Sequence, residues 1–231
     1  MQGASWLAGL CFLLFAGTVQ ALELGKQRSD YQASPDLRWL EAAPGELSPE
    51  QALEALRSGK GQRLGSRYPA MGFREQDQWF LLSLDNQSDT GLWYLRAGRP
   101  HLDYLDLYIY DAAGTLLRHQ RSGDRVPFAE RPFPHHQLVF PLAIPQQAQW
   151  SVLFRARGDN VIDFPLSIRA PDEFNQHDGY LKLSYGFYFG SVLIMCLFNL
   201  LIFFSIREPS YLLYVLYLGF FGLNLFARAG L

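Results

Sequence analysis

Apolar residues divide the chain into a short apolar start, a long mixed middle and an apolar end. Residues 184–206 contain no charged side chain, and after a polar break at 207–210 a second uncharged run covers 211–227. A helix needs roughly 20 apolar residues to cross a bilayer core. The two runs therefore predict transmembrane helices over 184–206 and 211–231, joined as a hairpin.

The apolar stretch at 7–19 predicts a secretory signal peptide. It is too short to span a bilayer, and it ends in the small-x-small pattern at 19–21 that precedes a cleavage site. We expect cleavage after Ala21, which gives a signal peptide over 1–21. Residues 1–6 carry no Lys or Arg, so an uncleaved core helix is the alternative. Export would place the domain that follows outside the cytoplasm.

The middle of the chain, residues 22–175, has the pattern of a β domain. Residues 103–110 alternate, so that Leu105, Leu107 and Ile109 share one face, which we assign to the core. Many short strands with turn-forming residues between them predict a mainly β fold, a jelly-roll-like sandwich. The other predicted strands are 79–85, 92–97, 115–119, 137–140, 150–155 and 166–169.

Two helical segments are predicted in or next to this β domain. Residues 48–51 read Ser-Pro-Glu-Gln, which places Ser at the N-cap, Pro at the first helical position and Gln at the third. With Gly59 as the stop, they predict a helix over 48–58. A second helical pattern starts at Asp172 and predicts a helical linker over 176–183 that continues into the first span.

A connection rich in proline leads into the last strands. Pro132, Pro134, Pro141 and Pro145 make the segment poor for a central strand and suit a loop at one end of the sandwich. It also contains the adjacent pair His135-His136. Neighbouring residues on a strand point to opposite sides, so we predict no metal site there.

Composition excludes several classes of partner. The chain carries 20 Lys and Arg against 22 Asp and Glu, a net charge of −2. This near-balance argues against nucleic acid and against an anionic membrane surface as partners. Of the 2 cysteines, Cys11 lies in the predicted signal peptide and Cys196 in the first predicted span. The exported domain must therefore fold without disulfides, which suits a bacterial periplasm.

No arrangement of residues indicates catalysis. The glycines at 59, 61 and 65 miss the dinucleotide-binding fingerprint, and no strand precedes them. The sequence also has no Gly-x-Ser-x-Gly nucleophile motif. We predict no catalytic residue, no metal and no cofactor, so the chain itself is not expected to be an enzyme.

One strand face predicts a ligand-binding site. Tyr104, Asp106 and Tyr108 lie opposite the assigned core face, where aromatic rings can stack on sugars and a carboxylate can accept hydroxyl hydrogen bonds. We expect Arg96, Arg155 and Arg157 on neighbouring strands, where they would complete a site for a saccharide or another small molecule. Tyrosine is equally a good strand former on a half-exposed face, the arginines could be solvated edge charges, and the face could bury against a second copy in a homodimer.

Several segments, taken in order, resemble the motifs of one family of bacterial receptors. The segments are 79–86, 99–108, Gly123-Asp124, Arg131-Pro132, 164–174, 185–190, Asn199-Leu200 and 207–214. Their order and spacing over residues 28–231 resemble the seven-transmembrane receptors with diverse intracellular signalling modules, 7TMR-DISM, with the type 2 extracellular domain.

The resemblance implies a sandwich similar to carbohydrate-binding modules, then seven membrane helices, then a cytoplasmic kinase or diguanylate cyclase. Because only two helices are present, we expect the membrane domain to be truncated and any enzymatic output to lie downstream. The chain would be the periplasmic ligand-sensing and membrane-entry region of an inner-membrane receptor. The alternatives are a membrane-anchored carbohydrate-binding module without signalling, and an exported hydrolase, for which no paired carboxylates are evident.

Overall fold

A computed structural model describes residues 21–159 and 161–229. The predicted signal peptide lies almost entirely outside these residues. Within the described part, thirteen strands, one short α-helix and two 3-10 helices form a β domain, and two long helices follow it. The predicted fold class, a β-sandwich followed by two apolar helices, is confirmed.

The described elements are numbered in chain order. The strands are β1 (Leu22–Leu24), β2 (Asp30–Gln32), β3 (Arg38–Ala42), β4 (Gln62–Arg63), β5 (Ala70–Phe73), β6 (Asp77–Asn86), β7 (Leu92–Ala97), β8 (Tyr104–Tyr110), β9 (Leu116–Ser122), β10 (Val139–Ala143), β11 (Gln149–Arg157), β12 (Val161–Asp163) and β13 (Leu166–Arg169). The helices are α1 (Pro49–Arg57), α2 (Pro171–Ile206) and α3 (Pro209–Ala229).

Two sheets form the sandwich. The first sheet has the order β4-β3-β6-β11-β8-β9, with β1 added in parallel beside β6, and the second has the order β10-β7-β13-β2. β5 and β12 form a separate two-stranded ribbon. Phe80 of the first sheet stacks on Phe164 with ring centroids 4.0 Å apart, and residues of both sheets share one apolar core.

The predicted alternation of β8 is confirmed. Leu105, Leu107 and Ile109 are at most 2% exposed and belong to the core between the sheets. On the other side of the same strand, Tyr108 and Tyr110 belong to a second apolar cluster. β8 is therefore buried on both faces over part of its length.

Helix α1 accounts for this second cluster. Ser48 caps the helix by accepting a hydrogen bond from the Gln51 amide, and the Gln51 side chain bonds back to the Ser48 amide, as the capping pattern predicts. The apolar face of α1 includes the buried Leu53 and Leu56, which cluster with Tyr110 of β8. The helix thus covers one end of the outer face of the first sheet and leaves the other end open.

Helix α2 is unbroken from the β domain to Ile206. The predicted linker over 176–183 and the predicted span over 184–206 lie within this single helix. Arg207 ends it in a left-handed conformation (φ 60°), with its amide bonded to the Phe203 carbonyl. By length and composition α2 and α3 can each cross a membrane. The membrane boundaries within them stay predictions.

Two details of the proline-rich connection differ from expectation. Pro141 lies in β10 rather than in a loop, and β10 tolerates it because it is an edge strand of the second sheet. His135 and His136 lie in a bend instead of a strand, and their ring centroids are only 4.2 Å apart. The two rings therefore lie together and do not face opposite ways, contrary to the prediction.

Candidate functional site

The strand register places a row of long side chains across the open end of the first sheet. On β11, Arg155 lies opposite both Trp79 of β6 and Asp106 of β8. Asp106 in turn lies opposite Arg121 of β9. Directly opposed residues on one face have Cβ atoms roughly 5 Å apart. The register alone therefore brings the two arginines to either side of one carboxylate.

Asp106 is the centre of this arrangement. Its Oδ1 accepts from Arg121 Nε at 2.7 Å and lies 3.1 Å from His119 Nε2, while its Oδ2 accepts from Arg155 Nη2 at 2.7 Å. The residue is only 2% exposed. Burial alone would raise the pKa of Asp106, but the hydrogen bonds from Arg121, Arg155 and His119 outweigh it and lower that pKa. The carboxylate is thus held ionised beneath its partners.

A second buried carboxylate, that of Asp77, is also bound by an arginine of β11, two residues beyond Arg155. Arg157 Nε donates to Asp77 Oδ1 at 2.7 Å, and Arg157 Nη2 donates to Asp77 Oδ2 at 3.2 Å. Asp77 also accepts from the amide of Gly45 at 3.1 Å. The hydrogen bond to Asp77 raises the pKa of Arg157. On β8, Tyr104 lies opposite Arg157.

These groups line a pocket of about 280 Å³ on the outer face of the first sheet, which we call the outer-face pocket. Its lining residues are Tyr104, Asp106, Arg121, Arg155 and Arg157. Outside the part covered by α1, this face therefore combines one half-buried tyrosine with three guanidinium groups.

Four of the six predicted site residues line this pocket, namely Tyr104, Asp106, Arg155 and Arg157. Tyr108 shares their face but is 7% exposed, because the ring of His119 stacks on it at 4.4 Å. It offers no open ring surface to a sugar.

Arg96 does not join the predicted set. It lies on β7 in the second sheet, where it donates to the side chain of Gln137 at 3.0 Å. Burial, and then the nearby Arg169 and Arg99, lower the pKa of Arg96. The two strands that carry Arg96 and Arg155 were expected to be neighbours, but they lie in different sheets of the sandwich.

Sequence reasoning missed Arg121 and His119 as site residues. The predicted strand over 115–119 stopped short of Arg121, whereas β9 runs to Ser122. The turn over 111–114 ties β9 to β8 as a hairpin, but the pairing shifts by one residue between Ile109 and Tyr110. Without that shift, the extended hairpin would have placed Gln120 opposite Asp106, so the hairpin alone does not indicate Arg121.

A second polar cluster joins the β domain to α2. Phe174 of α2 is 7% exposed and packs against Tyr94 of β7, with ring centroids 4.6 Å apart, and against His135 at 5.5 Å. His135 Nε2 lies 2.9 Å from Asp178 Oδ1, and Lys182 pairs with the same carboxylate at 2.7 Å. The start of α2 is thus docked on the second sheet.

Donor atoms of His135, His136 and Asp178 all lie within 4.8 Å of one another, a spacing that could hold a metal ion. Both ring nitrogens of His135 are engaged, however. Its Nδ1 accepts from the amide of Gln137 at 3.1 Å, and its Nε2 contacts Asp178. Because a metal would have to displace one of these contacts, we assign the cluster to docking.

Comparison with protein families agrees with the fold and the helices. Residues 34–170 match the family model for the 7TMR-DISM extracellular 2 domain, and residues 181–231 match that for the 7TM diverse intracellular signalling domain. The chain belongs to the 7TMR-DISM receptor family. The match and the two apolar helices indicate a membrane protein whose β domain lies on the outer side. A comparison with curated proteins found no match.

Solved structures resemble this 7TMR-DISM chain only weakly. A xylan-binding module, CBM15, is 9% identical with a TM-score of 0.31, and the match covers 62% of this chain and 96% of the module. An exo-beta-1,3-galactanase from Phanerochaete chrysosporium is 12% identical with a TM-score of 0.29, over 61% of this chain and 28% of the enzyme. At these scores neither similarity carries an argument about function.

Proposed function

We propose that this chain is the ligand-sensing and membrane-entry region of a bacterial signal-transduction receptor. The β domain would lie in the periplasm, bind a carbohydrate-like ligand, and pass the signal across the inner membrane to a cytoplasmic kinase or diguanylate cyclase. The observation that carries the proposal is the unbroken helix α2. It begins in a buried contact with the β domain, through Phe174, and continues into an apolar segment long enough to cross a bilayer.

The outer-face pocket is the proposed ligand site. Tyr104 is half-buried at its edge and supplies a ring for stacking, while Arg155 and Arg121 supply hydrogen-bond donors. Asp106 has a different role from the one its sequence position suggested. Because its oxygens already accept from Arg121 and Arg155, it positions those side chains and does not itself accept sugar hydroxyls.

Signal transfer would act through the docking of α2. A ligand can shift an equilibrium between docked and undocked helix only by its different affinities for the two states. The contacts of Phe174 with Tyr94, and of His135 with Asp178, define the docked state. Both contacts lie ahead of the predicted first span, so their loss would change the constraint on the membrane helix directly.

A membrane-anchored binding module without signalling is the second candidate. It is favoured by one observation: the outer-face pocket lies on the first sheet, whereas α2 docks on the second. In such a module the ligand would bind without any effect on α2.

A homodimer built on the tyrosine face is less compatible with the structure, because Tyr108 and Tyr110 are already buried within one chain.

The two candidates differ in a measurable way. We suggest hydrogen exchange and thermal unfolding of the full chain in detergent, with a panel of neutral and acidic oligosaccharides. A receptor should show a ligand that raises the melting temperature and changes amide exchange at 171–180. A ligand that stabilises the β domain and leaves 171–180 unchanged would support the anchored module. If no saccharide stabilises the folded protein, the proposed ligand class is wrong.

A further inference from the structure

The outer-face pocket presents hydrogen-bond donors almost exclusively. The side chains of Arg121 and Arg157 are 52% and 46% exposed, and that of Arg155 is 20% exposed. The carboxylates that hold them are hidden, with the Asp106 side chain 4% exposed and that of Asp77 1% exposed. A ligand entering the pocket therefore meets guanidinium groups above and carboxylates only beneath them.

The hidden carboxylates are out of a ligand's reach, because both are buried and already accept hydrogen bonds from the protein. Asp106 accepts hydrogen bonds from two guanidinium groups and also contacts His119, and Asp77 accepts from Arg157 and from the Gly45 amide. A neutral sugar offers hydroxyl groups that both donate and accept, so it would leave its donors unmatched here. A group that only accepts matches the pocket better.

Each arginine also keeps a donor group free. Arg121, Arg155 and Arg157 all bind their carboxylate through Nε and Nη2. In the part of the chain that the structure describes, their Nη1 groups have no hydrogen-bond partner. Three guanidinium groups also outnumber the two carboxylates, which leaves an excess of positive charge around the pocket.

We propose that the ligand of this pocket is an anionic saccharide, with a uronate carboxylate bound by Arg121, Arg155 and Arg157. The inference rests on the proposed ligand-sensing function and narrows it. Charge-assisted hydrogen bonds from guanidinium to carboxylate are about twice as strong as neutral ones. Tyr104 would stack on the sugar ring while the arginines hold the charged substituent.

The carboxylates beneath the pocket preorganise its arginine side chains for ligand binding. A flexible arginine loses side-chain entropy when it becomes fixed on a ligand, which weakens binding. In this structure Asp106 and Asp77 fix the guanidinium groups before any ligand arrives. Asp106 is therefore a positioning residue, and the ligand contacts fall to the arginines.

The test is calorimetric titration of the full chain in a nonionic detergent with two matched probes, a trimer of galacturonate and the neutral trimer of galactose. We expect the acidic trimer to bind at least tenfold more tightly. We also expect a rise from 50 to 500 mM NaCl to weaken the acidic trimer severalfold and to leave the neutral trimer unchanged, because salt screens the charge interaction.

A matched pair of variants localises the site. Arg121→Gln should lower the affinity for the acidic trimer at least tenfold. Arg118→Gln is the control, because Arg118 is an exposed residue of the same strand opposite Ile109 on the other face. The salt dependence provides a test on the unmodified protein in case Arg121→Gln does not fold.

The results of these experiments distinguish the preference for an anionic saccharide from the more general proposal of saccharide sensing. Equal affinity for both trimers would overturn the anionic preference and leave saccharide sensing standing. If neither trimer nor any other sugar binds, both the anionic preference and the proposed saccharide sensing are wrong. Acidic binding that survives Arg121→Gln, or that falls equally in Arg118→Gln, would overturn the assignment to this pocket.

Discussion

Asp106 is bound by neighbouring side chains of its own domain, whereas its position in the sequence predicts contact with a ligand. It alternates with tyrosines on a strand face, a pattern typical of a ligand-binding surface. In the folded protein it is buried, and its oxygens are shared among Arg121, Arg155 and His119. Removing one member of such a buried charged group leaves its partners uncompensated. Its substitution should therefore affect stability before it affects binding.

Asp106→Asn tests this role through its pH dependence. Because the pKa of Asp106 in the folded protein lies below its ordinary value of 3.8, the carboxylate stabilises the fold above that pH, and this contribution disappears as the pH falls through the lowered pKa. At pH 7 the variant should lose about 3 kcal/mol of unfolding free energy. Thermal unfolding followed by tryptophan fluorescence should show that the difference in stability between the parent and the variant shrinks below pH 3.8. A difference of equal size at pH 7 and pH 3 would contradict the assigned role of Asp106.

At the scale of elements, β8 illustrates what alternation can and cannot show. The pattern correctly assigns Leu107 to the core between the sheets. It does not show that the opposite face is also covered, because that cover comes from α1, which lies far away in the sequence. The helix itself is predictable from its capping residues, but the surface on which it packs is not. The open part of the face, and therefore the pocket, depends on where α1 ends.

Leu107→Asp tests the assignment of strand faces. The change puts a carboxylate without a partner into a fully buried position, which proteins tolerate poorly, so the β domain should not fold at neutral pH. The control is Leu117→Asp, because Leu117 lies on the next strand and is 49% exposed. Tryptophan fluorescence and circular dichroism of the two variants would decide. A Leu107→Asp domain that melts like the control would show that the faces are assigned incorrectly.

At the scale of the whole molecule, the link between the β domain and the membrane is a single long helix docked by a few side chains. Phe174 and Asp178 of α2 contact Tyr94 and His135 of the β domain. The proposed ligand site lies on the other sheet, so any signal must cross the shared core. The tightly packed Phe80 and Phe164 rings lie in that core.

Phe174→Ala should loosen this docking without unfolding the β domain. Truncation of a buried phenylalanine costs about 3 kcal/mol, and here the loss falls on the contact between α2 and the second sheet. Hydrogen exchange of the full chain should show faster exchange at 171–178, with the β domain melting within a few degrees of the parent. Tyr180→Ala is the control, since Tyr180 lies on the same helix and is 62% exposed. Unchanged protection at 171–178 would show that Phe174 does not hold the helix.

The sequence by itself determined the three α-helices and seven of the thirteen described strands, because their signals are local, whereas β1 to β5 and β12 were not predicted. The capping residues before α1, the alternation within β8, and the uncharged runs of α2 and α3 each depend on neighbours within a few positions. The order of motifs was also enough to indicate the family.

Only the tertiary structure decided which side chains meet. Arg96 and Arg155 are equally plausible partners for Asp106 in the sequence, yet Arg155 lies beside it and Arg96 lies in the other sheet. Arg121 lies beside Asp106 because β9 extends further than its pattern suggested and because its pairing with β8 shifts by one residue. Sheet membership and register depend on pairing between distant segments, and no local pattern encodes them. For that reason the fold was predictable, whereas the composition of the site depended on strand order.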